Sequence, residues 1–584
     1  MMERLGTESL PFSYFGSYLA VVTDRGEKTD QLYICSLRGK SRRQQRSLKL
    51  KIKAGDHLLR YRVEQQSTDQ VLLRTDDGYA VLTFADAKRL IVAGNMKHAD
   101  LLIDTLPKYN FEYNYLLGPE TDRYVMVNSY KNLSKYIVYV QSRMATIDLV
   151  QHVNYDAKGS EQTATNCSEI LIRGIFDHRG TLVIEDVPTN AALPSPTPFH
   201  FTSCRQRMQQ NFNRFSERFP AVSAHLATYM QAIYILWSCT VRPEGLLQRY
   251  AVYSSNHRFP GIWSWDHCFI ALGLLYGDDR LAFDQMFAVF DYQDPQGQLP
   301  GSVSDSTIRW NFSKPPIHGL IYSLLLQQKP DADRELLSKI YRQIKRQLSF
   351  YLTYKDSDHD GIAEYHHGND SGLDNSTVFQ EQAVVDSPDL SAYLIESVQL
   401  LEELSKRLAN GRQAYWREKK QEMMARFLDF FIIDGLPVAR KMRTGTPIYS
   451  KSSMPYLSIV LGQLLPKAIR ENIIHRLTSD DYWGTYGIAS ESFNSQQYEA
   501  DGYWRGPIWA PTTMLFAEGL KRSGCPAKAV ELMTRFCAAV EKSGFYENFD
   551  ARTGKGLRDN GFAWTAAVYI YFRNKIRELA SLKK

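Results

Sequence analysis

Val187-Pro188-Thr189-Asn190-Ala191-Ala192-Leu193-Pro194-Ser195-Pro196-Thr197-Pro198 divides a 584-residue chain into two regions with different hydrophobic periods. Its four prolines fix φ and withhold backbone donors, so the segment reads as an extended connector. A chain of this length exceeds what one hydrophobic core holds, and a boundary near residue 200 is expected. Before the connector, runs such as His57-Leu58-Leu59-Arg60-Tyr61-Arg62-Val63 and Tyr136-Ile137-Val138-Tyr139-Val140 are β-rich and bounded by polar turns. Several such runs at short spacing point to an N-terminal β-sandwich over residues 1–200, linker included. Beyond it, Leu394, Val398, Leu401, Leu404 and Leu408 recur three or four apart, the mark of one apolar helix face. Arg334 to Leu352, Tyr415 to Ile432 and Ala527 to Val540 read alike. Residues 201–584 have room for about twelve helices of ordinary length. No repeated period supports a solenoid, so a closed double ring of helices with a loop-built site at one end is expected.

Composition narrows the partners. Hydrophobic residues make up 44% and charged residues 23%, the mixture of a soluble globular protein. The net charge of +6 traces to one run. Arg38, Lys40, Arg42, Arg43, Arg46, Lys49, Lys51 and Lys53 exceed it together, without an intervening acid. The alternation Leu48-Lys49-Leu50-Lys51-Ile52-Lys53 reads as a strand with one wet face. No nucleic-acid motif accompanies the run, so no nucleic-acid partner is expected. Seven cysteines without CxxC spacing favour reduced thiols. The start, Met1 to Glu8, lacks the apolar core of a signal peptide. The most apolar stretch, His225 to Val241, is interrupted by Thr228, Gln231 and Ser238, and reads as a buried helix, not a membrane span. A cytoplasmic protein with no membrane partner is the expectation.

Four segments of the helical half concentrate functional side chains in loop-like contexts. Phe259-Pro260-Gly261-Ile262-Trp263-Ser264-Trp265-Asp266-His267 sets two indoles beside a carboxylate, a stacking wall with an acceptor for vicinal hydroxyls. It reads equally well as a core tryptophan pair whose Asp266 caps a helix. Gly368-Asn369-Asp370-Ser371-Gly372-Leu373-Asp374-Asn375-Ser376 is a polar turn around an acid, and on its own resembles ordinary N-cap chemistry. Asp501-Gly502-Tyr503-Trp504-Arg505-Gly506-Pro507-Ile508-Trp509 is dense in stacking and cationic groups. Phe545-Tyr546-Glu547-Asn548-Phe549-Asp550 is followed by Phe562-Ala563-Trp564-Thr565.

In order, the four segments resemble the signatures of glycoside hydrolase family 63 and its relatives, from about residue 255 to 570. That group includes processing α-glucosidase I, bacterial α-glucosidases, and mannosylglycerate and glucosylglycerate hydrolases. The resemblance implies a mainly α protein: an (α/α)6 barrel catalytic domain over 201–584 with an N-terminal β-sandwich. It implies an inverting α-glycoside hydrolase needing no cofactor for catalysis, with Asp374 as general acid and Glu547 as general base. Inversion needs such a pair, one group protonating the leaving oxygen and one activating water on the opposite face. Asp374 is therefore expected to be poorly solvated and near another acid such as Asp370. Arg505 or Arg552 is expected to steady Glu547. By the same likeness Asp266 grips the sugar in the −1 subsite. Trp263, Trp265, Trp504, Trp509 and Trp564 form its walls, with Tyr503 and Arg505 among the sugar contacts, and Lys314 borders the pocket.

Asp356-Ser357-Asp358-His359-Asp360-Gly361-Ile362-Ala363-Glu364 is a separate matter. Oxygen-bearing side chains stand at positions 1, 3, 5 and 9, glycine at 6, and Ile362 offers a carbonyl at 7, the front of an EF-hand-like loop. The bidentate glutamate usual at position 12 is replaced by His367. A structural Ca²⁺ is one reading, a metal-free run of Asx turns the other. Competing functions are a disaccharide phosphorylase or glucoamylase-like enzyme on the same barrel, and a carbohydrate-binding protein without catalysis.

Overall fold

The computed structural model describes residues 10–38, 46–108, 112–118, 123–142, 144–154, 164–177, 179–188, 198–222 and 224–581. Met1 to Glu8, the basic residues Lys40, Arg42 and Arg43, and 189–197 of the proline-rich connector lie outside the described residues. The chain forms two compact units. One holds the residues up to Phe219 with Leu226–Gly261 and Ser304–Thr307, and the other holds the rest. Helices α1 (Phe201–Ser216) and α2 (Leu226–Ser238) thus join the strand-rich unit, although their period places them with the helical half. A hydrophobic period reports a buried face, not which core buries it. Here Phe212 of α1 meets Trp237 of α2 at 5.6 Å, and Trp237 meets Tyr14 at 5.3 Å.

The first unit contains two antiparallel sheets of eight strands each. In one of them Tyr124–Ser129, Ser134–Gln141, Thr181–Pro188, Arg89–Met96 and Gly78–Asp86 are successive neighbours. Ser134–Gln141 carries an unbroken apolar run because both of its faces are covered. Ile137 and Tyr139 pack with Cys204 of α1, while the Tyr136 hydroxyl donates to Ser47 of the other sheet at 2.8 Å. The alternating run behaves as its pattern dictates. Leu48, Leu50 and Ile52 are buried, and Lys51 on the wet face meets Asp104 and Glu169 at 3.0 Å each. Arg38, by contrast, is buried, its fork on Asp186 at 2.8 Å and on Glu244 at 2.9 Å. The His57–Val63 run is broken into strands His57–Leu59 and Arg62–Gln66. Tyr61 turns inward at the break, donating to the Leu50 carbonyl at 3.0 Å and accepting from the Leu32 amide at 2.8 Å. Six described cysteines are free thiols, and no described helix is long and apolar enough to cross a membrane.

The second unit is helical. Its helices are α3 (Asp266–Leu274), α4 (Asp279–Phe290), α5 (His318–Gln328), α6 (Arg334–Tyr354), α7 (Pro388–Leu408), α8 (Gln413–Phe431), α9 (Lys467–Leu477), α10 (Ala510–Arg522), α11 (Pro526–Ser543) and α12 (Ala563–Ser581). A 3-10 segment, Met454–Leu464, lies between α8 and α9. Among the described residues α3, α5, α7, the 3-10 segment, α10 and α12 each touch the next, and α12 returns to α3. They close an inner ring of six, with α4, α6, α8, α9 and α11 packed outside it. The sequence explains which helix goes where. α3 is buried at every residue, as an inner helix covered on all sides must be. α6 buries only a stripe through Leu337, Ile340, Ile344, Leu348 and Tyr351. Side-chain carboxylates open two outer helices, Asp278 accepting from the Leu281 amide at 2.9 Å and Asp333 from the Leu336 amide at 2.8 Å. Ring closure is tight at Gly273, where an added Cβ would stand 2.4 Å from the Ala567 carbonyl oxygen of α12.

Candidate active site

Loops between these helices carry the four motif segments. Asp374 follows a 3-10 turn, Gly368–Ser371, that ends on Gly372 at φ +77°. An added Cβ on Gly372 would lie 2.6 Å from the Trp265 ring, so the loop bearing Asp374 rests directly on the first motif. The Asp374 carboxylate is one-third exposed. Lys314 donates to its Oδ1 at 3.1 Å, and the Tyr503 hydroxyl donates to its Oδ2 at 3.3 Å. Lys314 is itself buried, and its ammonium also reaches the carbonyl and the side-chain oxygen of Asn369, both at 2.7 Å. Tyr503 holds φ +64°, a left-handed conformation costing a non-glycine residue about 1–2 kcal/mol.

Asn375 ties the second motif to the third, donating to the Gly502 carbonyl at 3.0 Å and accepting from the Trp504 amide at 2.8 Å. Trp265 lies 6.0 Å from Trp504 and 6.3 Å from Trp564, and Trp504 stacks on Trp509 at 3.7 Å. Trp509 donates its Nε1 to the Tyr503 carbonyl at 3.0 Å, and Trp564 donates its Nε1 to the Glu547 carbonyl at 3.1 Å. Glu547 is buried on the strand Tyr546–Phe549, whose Asn548 pairs with Trp509. On the strand's other edge Tyr546 pairs with Asn560 and Asn548 with Leu557, so Arg558 and Asp559 together oppose Glu547. Such a bulge re-aims the side chain at its centre.

The structure thus gathers Trp265, Tyr503, Trp504, Trp509, Trp564, Lys314 and Asp374 into one contact network that reaches the backbone of Glu547. Several expectations change in the process. Trp265, Trp504, Trp509 and Trp564 are 3, 1, 0 and 4% exposed, a packed floor in place of open walls, while Trp263 is half-buried. Asp266 is buried at the first position inside α3, one residue past the N-cap Trp265, where a carboxylate is favoured by the helix dipole but is not the cap. Asp374 is neighboured by a lysine and a tyrosine in place of another acid, because Asp370 is engaged by Lys355 at 3.2 Å and by the Ser313 amide at 3.1 Å. The arginines expected beside Glu547 are occupied elsewhere. Arg505 meets Glu499 at 3.0 Å, and Arg552 lies over the Phe493 ring at 4.6 Å. A cavity of about 360 Å³ opens on the Asp374 side, lined by His367, Asn375, Gln380, Gln497 and Arg505 among others. Asn369 and Asn375 were missed as site residues, since an asparagine in a turn has no signature beyond turn chemistry.

The acidic loop folds into a cluster. Carboxylate oxygens of Asp356, Asp358 and Glu364 come within 4.8 Å of one another. Asp356 Oδ1 and Glu364 Oε2 are buried without a hydrogen-bond partner. Asp360 departs from the expected set by turning Oδ1 to the Ile362 amide at 2.8 Å. Asp386, the strand partner of Glu364, lies close enough to feel these charges. Burial, then the charges of Asp360, Asp358, Glu364 and Asp356, push its carboxyl up to about 8. Burial also raises Asp356 and Asp360. Burial alone would raise Glu364 too, but hydrogen bonds from His366 and Ser357 hold it below the ordinary value. A cluster of carboxylates with two bare buried oxygens fits a hard cation such as Ca²⁺.

Comparison with known proteins adds the family. The mannosylglycerate hydrolase MGH1-like glycoside hydrolase domain matches residues 259–565. A mannosylglycerate hydrolase of Thermus thermophilus is 23% identical over 402 residues, covering 54% of this chain and 94% of the relative. A glucosylglycerate hydrolase of Mycolicibacterium hassiacum is 20% identical over 408 residues, covering 53% and 91%. Among solved structures, a family 63 mannosylglycerate hydrolase of Thermus thermophilus in complex with glucose superposes with a TM-score of 0.53 at 21% identity, covering 59% of this chain and 99% of that one. A bacterial glucoamylase complexed with acarbose does so with 0.60 at 11% identity, covering 97% and 94%. The inner and outer helices are therefore those of an (α/α)6 barrel. The chain belongs to the mannosylglycerate hydrolase MGH1-like glycoside hydrolases of family 63, an inverting family, and is a glycosidase.

Proposed function

We propose that this glycosidase cleaves a small α-glucoside or an oligosaccharide, with Asp374 as general acid and Glu547 as general base. The observation that carries the assignment is the convergence on Asp374: Lys314 and Tyr503 fix its two oxygens while Gly372 seats its loop on Trp265. A seated glycoside would cover the exposed third of that carboxyl group and shield the proton transfer from bulk water. The leaving oxygen then takes the proton. Glu547, on the strand Tyr546–Phe549, deprotonates the water that attacks the opposite face of the sugar. Neither carboxylate bonds to the anomeric carbon.

The cavity beside Asp374 would take the leaving group, since the acid must face the departing oxygen. Polar side chains in its lining, Arg505, His367 and Gln497 among them, offer hydrogen bonds to a hydroxylated aglycone. The names of the relatives add glycerate glycosides to the substrates worth trying. A glucoamylase-like action on longer α-glucans is the second reading, favoured by the likeness in fold that spans nearly the whole chain. One experiment tests both the roles and the substrate: α-glucosides, α-mannosides, their glycerate glycosides and maltooligosaccharides are incubated with the enzyme and followed by proton NMR within minutes. A β-anomer as first product is expected. An initial α-anomer means retention and removes both proposed roles.

We further propose that Asp356, Asp358 and Glu364 hold a structural Ca²⁺. The two bare buried oxygens support this, because an unpaired buried carboxylate oxygen is costly unless a cation meets it.

A further inference from the structure

A second cavity, of about 560 Å³, lies in the strand-rich unit. Its floor follows from strand register. Tyr79 pairs with Asn95 and Val81 with Ala93, so these four share one face of the sheet. Thr181 stands at the head of the next strand, where Leu182 pairs with Val92. Helix α1 covers this face further along, and its cover begins only at Phe201. The small side chain of Ala93 therefore leaves a trough between Tyr79 on one side and Phe199, His200 and Thr202 on the other, with Arg179 at the rim.

The chemistry of the lining is specific. Tyr79 is 37% exposed, a ring large enough to stack on the apolar face of a sugar. Asn95, Arg179 and His200 make no side-chain hydrogen bond or ion pair within the described residues. Among the described residues nothing competes with a ligand for their donors and acceptors. Asn95 offers a donor and an acceptor at the spacing of vicinal hydroxyls, and Arg179 offers a planar fork suited to a carboxylate or phosphate. No acidic side chain is among the lining residues. The volume falls within the range of small-molecule sites.

We propose that this trough binds a saccharide bearing an anionic group, either a uronate or a sugar phosphate. The tyrosine takes the ring, Asn95 and the threonine hydroxyls take its hydroxyls, and Arg179 with His200 takes the charge. The test uses the full chain, with glucuronate, glucose 6-phosphate and glucose as separate probes in calorimetric titrations. Wild-type protein is expected to bind at least one charged sugar tenfold or more tighter than glucose, and the better probe distinguishes carboxylate from phosphate. Ala93→Trp fills the floor and should abolish that binding while leaving the melting curve and hydrolysis unchanged. Arg179→Ala, on an exposed turn, should weaken it tenfold or more and serves as the second variant if Ala93→Trp fails to fold. Charged sugars that bind both variants as tightly as wild type are bound elsewhere, and overturn the proposal. So does glucose binding as tightly as the charged probes, or no binding of either charged sugar at millimolar concentration.

Discussion

Asp374→Asn separates the acid's chemistry from its place in the fold. Its carboxylate receives two hydrogen bonds, from Lys314 at 3.1 Å and from Tyr503 at 3.3 Å. An asparagine side chain can keep both, its oxygen accepting from Lys314 and its amide donating to the tyrosine oxygen. Lys314 also retains both oxygens of Asn369. The one interaction lost is the charge on a group one-third exposed, where solvent screening leaves at most about 1 kcal/mol. Stability should therefore change little. The rate should not. A general acid supplies about 10²- to 10⁴-fold, or roughly 3–5 kcal/mol, when the leaving group is a sugar or alkyl alcohol. Fluoride departs without a proton, so α-glucosyl fluoride should lose less than about tenfold. The assay compares kcat on the two kinds of substrate, with a urea unfolding curve for each protein. Equal losses on both, with an unchanged unfolding curve, would refute Asp374 as the proton donor.

Three further outcomes follow from particular contacts. Gly372→Ala combines a left-handed φ of +77° with a Cβ 2.6 Å from Trp265, so a loss of about 2–4 kcal/mol and a lower kcat are expected; urea midpoints matching wild type would contradict that packing. Chelation should lower the melting temperature and Ca²⁺ restore it, by about 2.7 kcal/mol at a hundredfold excess over Kd. Asp358→Ala should remove the response, and a metal-free protein indifferent to Ca²⁺ ends the metal assignment. His318 is buried and thereby pushed down from 6.5 to about 4, with its Nε2 at 2.9 Å from the Ser264 carbonyl. Between those values the unfolded chain binds a proton the native state does not, so stability is full above pH 6.5 and falls by about 3 kcal/mol as pH drops towards 4. Urea titrations across that range should show a steeper slope for wild type than for His318→Gln, and identical slopes would mean the imidazole is not held neutral.

Local patterns carried much of this protein into view. The period-two run at Leu48–Lys53 and the three-or-four spacing from Leu394 to Leu408 each describe one buried face, a property of neighbours along the chain, and strand and helix formed as those patterns required. The order of the four aromatic and acidic segments identified the family, because chemistry constrains residue types within a short loop. Which core a helix joins is a different kind of fact. α1 and α2 have helical periods, yet Trp237 of α2 packs on Tyr14, which in turn meets Phe84 of the strands, and no local period encodes that. The same holds for charge. Lys314 sits sixty residues from Asp374 in the chain and 3.1 Å from it in space, while Asp370, four residues away, is taken by Lys355. A strand pair sets Asp386 opposite Glu364, 22 residues away in the chain, while Asp360 turns Oδ1 to a neighbouring amide. Sequence by itself determined the elements, the family and the reactive residue types, since those depend on covalent neighbours. Tertiary structure alone decided which tryptophans are buried, which cation meets which acid and where the sheet stays uncovered. Those outcomes depend on contacts between distant segments, whose energies appear only once the chain has closed.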